Sequence, residues 1–440
     1  MDWYNYIFLG AAVAQLLSLI NTYRNYRYAL TKEQRRPIAY ASNTILVVPC
    51  KGLDDNFQRN IESFYALDFE PYSLWFVVED ESDPAYAELQ RIRETLEAKT
   101  QAKEVRIRVA GHTRSCSQKL HNLLYCYRRV PKETEVIAFA DSDICVHPFW
   151  LSRLVWPLRK ARIGVSTGYR WFVPIRNNFA SLALSAMNAR VALLLGNTRF
   201  SQAWGGSMAI RTEIFRNIGL ERIWQTAVSD DLSLSYAVRK ARLKIAFVPS
   251  CLVASYVSTN WRDLIEFTRR QFLITRVCTP LTWSFGLLAN LLSVLGLWGA
   301  IAFSIQAAVT ETSESLPGPA ISNLHFAPAI VVFLLLCQVC QAVLRQRLIW
   351  QLMPQERTRM NRTKWADLVG FWLWSLLMLG AILLSAVGRT IRWRGIRYRL
   401  ISPIKTVVLD ERPVRDSKAR SLFDEATPDQ RGTKKTGHPV

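Results

Sequence analysis

Four runs of apolar residues, at 3–20, 281–309, 326–344 and 368–387, constrain this 440-residue chain more than any other feature. A hydrocarbon core of ~30 Å takes about 20 apolar residues as a helix. In lipid the backbone must satisfy its own polar groups, so such runs fold as helices. The first run, interrupted by Asn5 and Gln15, is followed by Arg24, Arg27, Lys32, Arg35 and Arg36. A secretory leader carries its positive charge before the apolar run and ends at a small-residue cleavage site. Here the charges follow the run and no such site stands out. Residues 1–22 therefore read as an N-terminal anchor whose basic flank stays in the cytoplasm.

The three later runs fall within a membrane region at 281–390. The connection 310–325 carries Glu311 and Glu314 and no Lys or Arg, whereas 345–364 carries Arg345, Arg347, Arg357, Arg359, Arg362 and Lys364. The positive-inside rule puts the first connection outside and the second inside. A third full crossing would then carry Arg389, Arg392, Arg394, Arg397 and Arg399 outside. Either the last run is re-entrant or interfacial or the rule fails; the expectation is that 391–440, a basic segment and disordered tail, is held at the cytoplasmic face.

A formal net charge of +21 suits either nucleic acid or an anionic membrane surface. The basic residues cluster beside the apolar runs, which favours anionic lipids as partners over nucleic acid. The eight cysteines follow no framework spacing, and Cys337 and Cys340 lie inside an apolar run, so reduced thiols are expected.

Between these membrane elements, residues 40–260 alternate apolar strands with helical periods, the signal of a largely parallel α/β sheet. Its pivotal stretch is Val136-Ile-Ala-Phe-Ala-Asp141-Ser142-Asp143. The apolar residues read as a buried strand, and ligands of open α/β sheets collect beyond the carboxyl ends of strands. Asp141 and Asp143 at that end suit a divalent cation held by one or two carboxylates and a substrate diphosphate, although Asp-x-Asp alone is equally an ordinary polar turn. Other strand ends repeat the theme. The strand 44–48 leads to Asp54 and Asp55, read as helix caps or as contacts to a uracil or ribose. The strand 73–78 leads to Glu79, Asp80, Glu81 and Asp83, of which Asp80 is assigned to the nucleotide. Lys119, at the start of a helix, can meet a diphosphate as a point charge; His121 beside it reads as structural.

Trp204-Gly205-Gly206 offers a stacking face and room for close backbone approach. Asp230 and Asp231 open a helix; they are ordinary N-terminal acids or supply a general base for an acceptor hydroxyl. Residues 261–280, with Trp, Leu, Ile and Phe among arginines, read as an interfacial helix.

Taken in order, these motifs resemble the membrane-bound, inverting glycosyltransferases of GT-A fold, and the ceramide glucosyltransferase family in particular. The resemblance rests on Lys51-Gly52-Leu53-Asp54, Glu79 to Pro84, Gln118-Lys119-Leu120-His121-Asn122-Leu123, Asp141-Ser142, Asp230-Asp231 and Trp393-Arg394-Gly395-Ile396-Arg397-Tyr398-Arg399-Leu400. It spans roughly residues 40–400, and the combination is far more specific than any one motif. It implies an α/β fold, a Rossmann-like mixed sheet, flanked by transmembrane or interfacial helices. It implies transfer of one hexose from a UDP-sugar, UDP-glucose first, to a ceramide-like lipid hydroxyl, with Mg²⁺ or Mn²⁺, in an integral membrane protein whose catalytic domain faces the cytoplasm. Asp54 would contact the nucleotide, Asp141 the metal and diphosphate, with Asp143 as a second ligand that the animal enzymes lack, and Asp231 would be the base. The family's Gln/Arg-x-x-Arg-Trp motif is altered here: Arg270-Gln271-Phe272-Leu273-Ile274 has Leu and Ile where Arg-Trp would stand. Arg269, Gln271 or Arg276 is left to supply the missing charge, and Trp204, Asp230, Arg269, Arg270 and Gln271 are assigned to the acceptor side. Two other readings compete: a processive polysaccharide synthase of the cellulose or hyaluronan kind, which needs a translocation channel and the complete motif, and a non-catalytic membrane scaffold.

Overall fold

The computed structural model describes residues 3–33, 40, 42–198, 201–311 and 321–411. The flanking charges Arg35 and Arg36, most of the connection 310–325 and the tail beyond 411 lie outside the described residues.

The strands are β1 (Thr44–Pro49), β2 (Tyr72–Val78), β3 (Val105–Val109), β4 (Val136–Ala140), β5 (Ile163–Pro174), β6 (Ser207–Arg211), β7 (Lys244–Val257), β8 (Thr390–Trp393), β9 (Ile396–Ser402) and β10 (Lys405–Glu411). The first seven form one mixed sheet in the order β3-β2-β1-β4-β6-β5-β7. Successive residues of a strand point to opposite faces, and β1 divides accordingly. Leu46 and Val48 meet Phe57, Ile61, Phe64 and Trp150 on one face, while Ile45 and Val47 meet Leu120, Leu123 and Leu124 on the other. Burial on both faces is why these strands read as unbroken apolar runs.

The chain runs from β1 outward to β2 and β3, then returns to place β4 on the other side of β1. That reversal opens a crevice at the carboxyl ends of β1 and β4. β6 lies antiparallel to β4, with Ala140 opposite Ser207. The turn before β6 therefore sits beside the end of β4, and the Asp141 N–H donates to the Gly206 carbonyl at 3.3 Å.

Four helices among the described residues are long and apolar enough to cross a membrane, as befits an integral membrane protein: residues 4–33, 280–306, 326–352 and 361–384. The first helix, Trp3–Glu33, continues past residue 22. Its extension joins the α/β domain: Asn25 donates to the Leu193 carbonyl at 2.8 Å, Tyr28 to that of Phe247 at 2.9 Å, and Glu33 pairs with Arg153 at 2.8 Å. At its far end Phe8 and Ala12 pack with Leu297, Ala300 and Ala327.

The last apolar helix, Asn361–Leu384, returns to the domain at both ends. Met360, just before it, packs with Trp171, Val173 and Tyr256. After it, Arg269 donates to the carbonyls of Leu384 and Val387, both at 3.2 Å, and Arg276 to that of Gly388. Between its ends Trp374, Met378 and Ile382 pack on Ala183, Leu184 and Met187. Trp365, Val369, Trp372, Leu376 and Leu383 are exposed.

A buried polar knot pins this helix. Arg345 donates to Asp367 twice, at 2.8 and 3.0 Å, and Gln346 donates to the same carboxylate at 2.9 Å. Removing one partner of a buried pair costs about 3–5 kcal/mol, because the other charge is left uncompensated. Asp367→Asn should therefore lower the melting midpoint of the detergent-solubilised chain by several degrees; an unchanged midpoint would show that the pair carries no net stability.

Where the sequence reading expected only a basic tail, β8, β9 and β10 form an antiparallel sheet. Ile391, Ile396, Tyr398 and Leu400 alternate inward onto Val228, Leu273 and Cys278, and Thr406 N–H donates to the Thr226 carbonyl at 2.7 Å. This sheet packs the C-terminal segment onto the α/β domain.

Candidate active site

Lys119 occupies the centre of the crevice. Ser117 caps its helix, Gln118–Tyr127, by accepting from the Leu120 N–H, which sets Lys119 in the first turn. Its Nζ lies 2.6 Å from Asp141 Oδ1 and 2.9 Å from Asp230 Oδ2. Burial alone would lower the pKa of this amine, but the Asp141 and Asp230 carboxylates outweigh it and hold it above the ordinary lysine value. Asp230 is buried at the start of the helix Asp230–Lys240, whose cap is Ser229.

Asp143, two residues beyond Asp141, has one oxygen 3.5 Å from Arg170 and the other buried without a hydrogen-bond partner. Its carboxyl is pushed up to about 6, first by burial and then by the Asp141 charge. No group of three or more His, Cys, Asp or Glu among the described residues is placed to hold a metal ion. Two neighbouring carboxylates with an orphaned oxygen do fit a cation whose remaining ligands are substrate oxygens and water.

The two glycines are required by close approach. A Cβ on Gly205 would lie 2.1 Å from Asp230 Oδ2, and one on Gly206 would lie 2.3 Å from the Trp204 ring and 2.7 Å from Asp141 Oδ2. Trp204 is buried, meets Tyr169 edge-on at 5.6 Å and has the Arg170 guanidinium 5.4 Å from its ring. Asp231 is half-buried and faces this turn: Gly205 N–H donates to Oδ2 at 3.2 Å, while the Leu232 N–H, at 2.7 Å, and the Ser229 hydroxyl donate to Oδ1.

Asp54 lies at the rim and accepts two hydrogen bonds from Arg394, at 2.6 and 2.8 Å. Arg394 and Gly395, with φ of 48° and 84°, join β8 to β9, and this hairpin carries the guanidinium across 340 residues of sequence to Asp54. Arg270 faces the same cations: burial and then Arg170 lower its pKa to about 10.

The sequence-assigned residues thus divide. Asp54, Lys119, Asp141, Asp143, Gly205, Gly206, Trp204, Asp230, Asp231 and Arg270 line one crevice. Asp80 stays in an exposed turn, where its carboxylate accepts from the Ser82 N–H at 2.8 Å. Asp83 of the same loop holds the neighbouring strand end by accepting from Gly52 N–H at 2.8 Å. Arg269 turns away to the carbonyls of Leu384 and Val387, since consecutive helical residues point about 100° apart. Gln271 is half-buried on that helix, and Arg276 reaches Gly388. Sequence reasoning did not single out Arg170 or Arg394, which the fold places beside Asp143 and Asp54. The signal for Arg170 was a charge inside a strand that runs on to Pro174; for Arg394 it was the Arg-Gly turn between two alternating segments.

The family model described as glycosyl transferase family 21 matches residues 6–404. Among solved structures, the chain is similar to the mannosyltransferase PcManGT from Pyrobaculum calidifontis, determined in complex with GDP-Man and Mn2+. The two are 12% identical over 87% of this chain and 97% of that one, with a TM-score of 0.45.

Proposed function

This chain belongs to glycosyl transferase family 21, and we propose that it moves one hexose from a UDP-sugar, UDP-glucose first, to the hydroxyl of a ceramide-like membrane lipid with inversion at the anomeric carbon. The observation that carries this reading is the convergence of Asp141, Asp143, Asp230 and Asp231 with Lys119, Arg170, Arg270 and Arg394 at the carboxyl end of the sheet. Acids suit a cation and an acceptor proton; the surrounding cations suit a diphosphate. The helix that carries Arg270 ends at Cys278, and the membrane helix begins at Pro280, which favours an acceptor drawn from the bilayer.

Asp54 receives the nucleoside. Lys119, Arg170 and Arg394 meet the diphosphate; a cation held by Asp141 and Asp143 would neutralise one present partner of Lys119 and that of Arg170. Asp141 and Asp143 would hold Mg²⁺ or Mn²⁺, which when bound offsets charge on the departing diphosphate. Asp231 takes the acceptor proton as the hydroxyl oxygen bonds the anomeric carbon. The bond from that carbon to the UDP oxygen breaks, and its electron pair leaves with UDP.

In the membrane the helices Trp3–Glu33, Pro280–Glu311 and Ile321–Leu352 cross, and Asn361–Leu384 lies at the interface with its exposed apolar side in lipid. Both ends of that helix lie against the domain, which supports three crossings and keeps the C-terminal sheet on the catalytic side. The arginines on that side favour the cytoplasm.

The test is transfer by the purified chain in detergent, with labelled UDP-sugars, GDP-sugars and a lipid extract, the product identified by mass spectrometry. A labelled glycolipid made from a UDP-sugar is expected; a product only from a GDP-sugar, or a soluble polymer, would overturn donor or acceptor. Excess EDTA should abolish transfer and Mg²⁺ or Mn²⁺ restore it, with Asp141→Asn and Asp143→Asn each weakening the restored rate. Full activity in EDTA would remove the metal.

A further inference from the structure

A second concentration of positive charge lies where the last apolar helix returns to the domain. Between the junction at Pro280 and the C-terminal sheet runs an open cleft of about 880 Å³, lined by Arg276, Val277, Pro280, Arg389, Arg399 and Ile401 among others. Arg276 donates to the Gly388 carbonyl and Arg389 to that of Ile401 at 3.0 Å. Arg399 points outward on β9, opposite in sense to the buried Tyr398 and Leu400. Among residues whose side chains are described, none of these three arginines pairs with a carboxylate. Burial, then the neighbouring Arg389 and Arg269 charges, lower the pKa of Arg276.

Uncompensated guanidiniums facing one open space form a recognition site for an oxyanion, because each presents a planar fork of donors that matches phosphate. The surroundings indicate where that phosphate comes from. Pro280 opens a membrane-crossing helix; Leu281 and Phe285 on its first turns are 85% and 65% exposed, and Val387 across the cleft is 75% exposed. Exposed apolar side chains thus adjoin a cationic lining, as a phospholipid's chains adjoin its headgroup. We propose that this cleft binds the phosphate of an anionic phospholipid in the leaflet on the catalytic side. The proposal rests on the membrane placement given above and is independent of which sugar or acceptor the enzyme uses.

The test uses the full chain in neutral detergent and follows phosphatidylglycerol affinity through the shift in melting midpoint and by native mass spectrometry. Phosphatidylcholine and inorganic phosphate serve as comparison ligands. Phosphatidylglycerol should stabilise the wild type. Arg399→Glu and Arg389→Gln should each weaken its binding by about tenfold, on the order of 1 kcal/mol or more per charge near a lipid surface. Arg399→Lys, which keeps the charge and loses the fork, should fall between the wild type and Arg399→Glu. Arg216→Glu, an exposed charge change on a distant helix, should leave it unchanged, which separates a site from the pull of net charge. UDP-sugar affinity should be the same in all four, so failure here is distinct from failure of the catalytic reading. A shift produced equally by inorganic phosphate would establish a phosphate site with a soluble source. Equal phosphatidylglycerol affinity in wild type, Arg399→Glu and Arg389→Gln would overturn the proposal.

Discussion

Asp231→Asn is expected to fold, to bind the UDP-sugar normally and to lose transfer by about 10²–10⁴-fold, the range of a positioned general base. A lipid hydroxyl is a weak nucleophile until its proton is taken as the new bond forms. An ionised carboxylate offers about four acceptor positions; the Gly205 N–H, the Leu232 N–H and the Ser229 hydroxyl use three. The bonds fix the carboxylate and leave one position for the acceptor. Asparagine keeps the size and one acceptor oxygen, so the stability cost should be about 1 kcal/mol. Asp230→Asn separates the two acids. Asp230 is buried and shares Lys119 with Asp141, so its loss should appear as lower stability and weaker donor binding, with a milder effect on the single-turnover rate. Near-normal transfer by Asp231→Asn, with Asp230→Asn inactive, would move the base to Asp230; near-normal transfer by both would sink the assignment.

Arg394→Asn should weaken UDP-sugar binding by about 10–100-fold, the worth of a charged hydrogen-bonding group at roughly 1.5–3 kcal/mol, while hardly moving the melting midpoint. Arg394 stands at positive φ in a two-residue hairpin turn, a position where asparagine is favoured and most side chains cost about 1–2 kcal/mol. Asparagine relieves that strain; against this, the partly solvated pair with Asp54 is lost, worth about 1 kcal/mol or less. Stability and function are thereby uncoupled at one residue. Isothermal titration with UDP-sugar, beside a thermal melt, reads both. Unchanged affinity would make Arg394 a strut for Asp54 only. A large drop in midpoint with proportionate loss of affinity would make the hairpin structural.

What could be read in advance and what could not follow from the range of the forces involved. Strands buried on both faces leave a local mark, an unbroken apolar run, so β1, β2 and β4 and the acids at their ends were legible residue by residue. The glycines before β6 were legible as places of close approach, but that Asp230 and Asp141 are what approaches came only from β6 lying antiparallel beside β4. The hydrocarbon requirement is also local: 20 or so apolar residues announce a helix. It does not say whether that helix crosses. For Asn361–Leu384 the matter was left open by charge counting; its contacts with the domain at both ends support an interfacial position.

The residues that sequence reasoning missed or misplaced are those whose role depends on distant partners. Arg170 takes its meaning from Asp143 and Trp204, and Arg394 from Asp54, which no local pattern connects to it. Arg269 and Arg270 are adjacent in sequence and equivalent in composition, yet helical rotation sends one to the end of a membrane helix and the other to the crevice. Residue identity and periodicity thus determined by themselves the buried strands β1, β2 and β4, the acids that end them and the long apolar helices, because those outcomes depend on neighbours within a turn or two; β8, β9 and β10, whose inward residues are covered only by distant elements, were not legible in this way. Which charges share one small volume was decided only by the tertiary fold, because Coulomb and hydrogen-bonding partners are set by distance in space, and here chain packing brings residues 54 and 394 together.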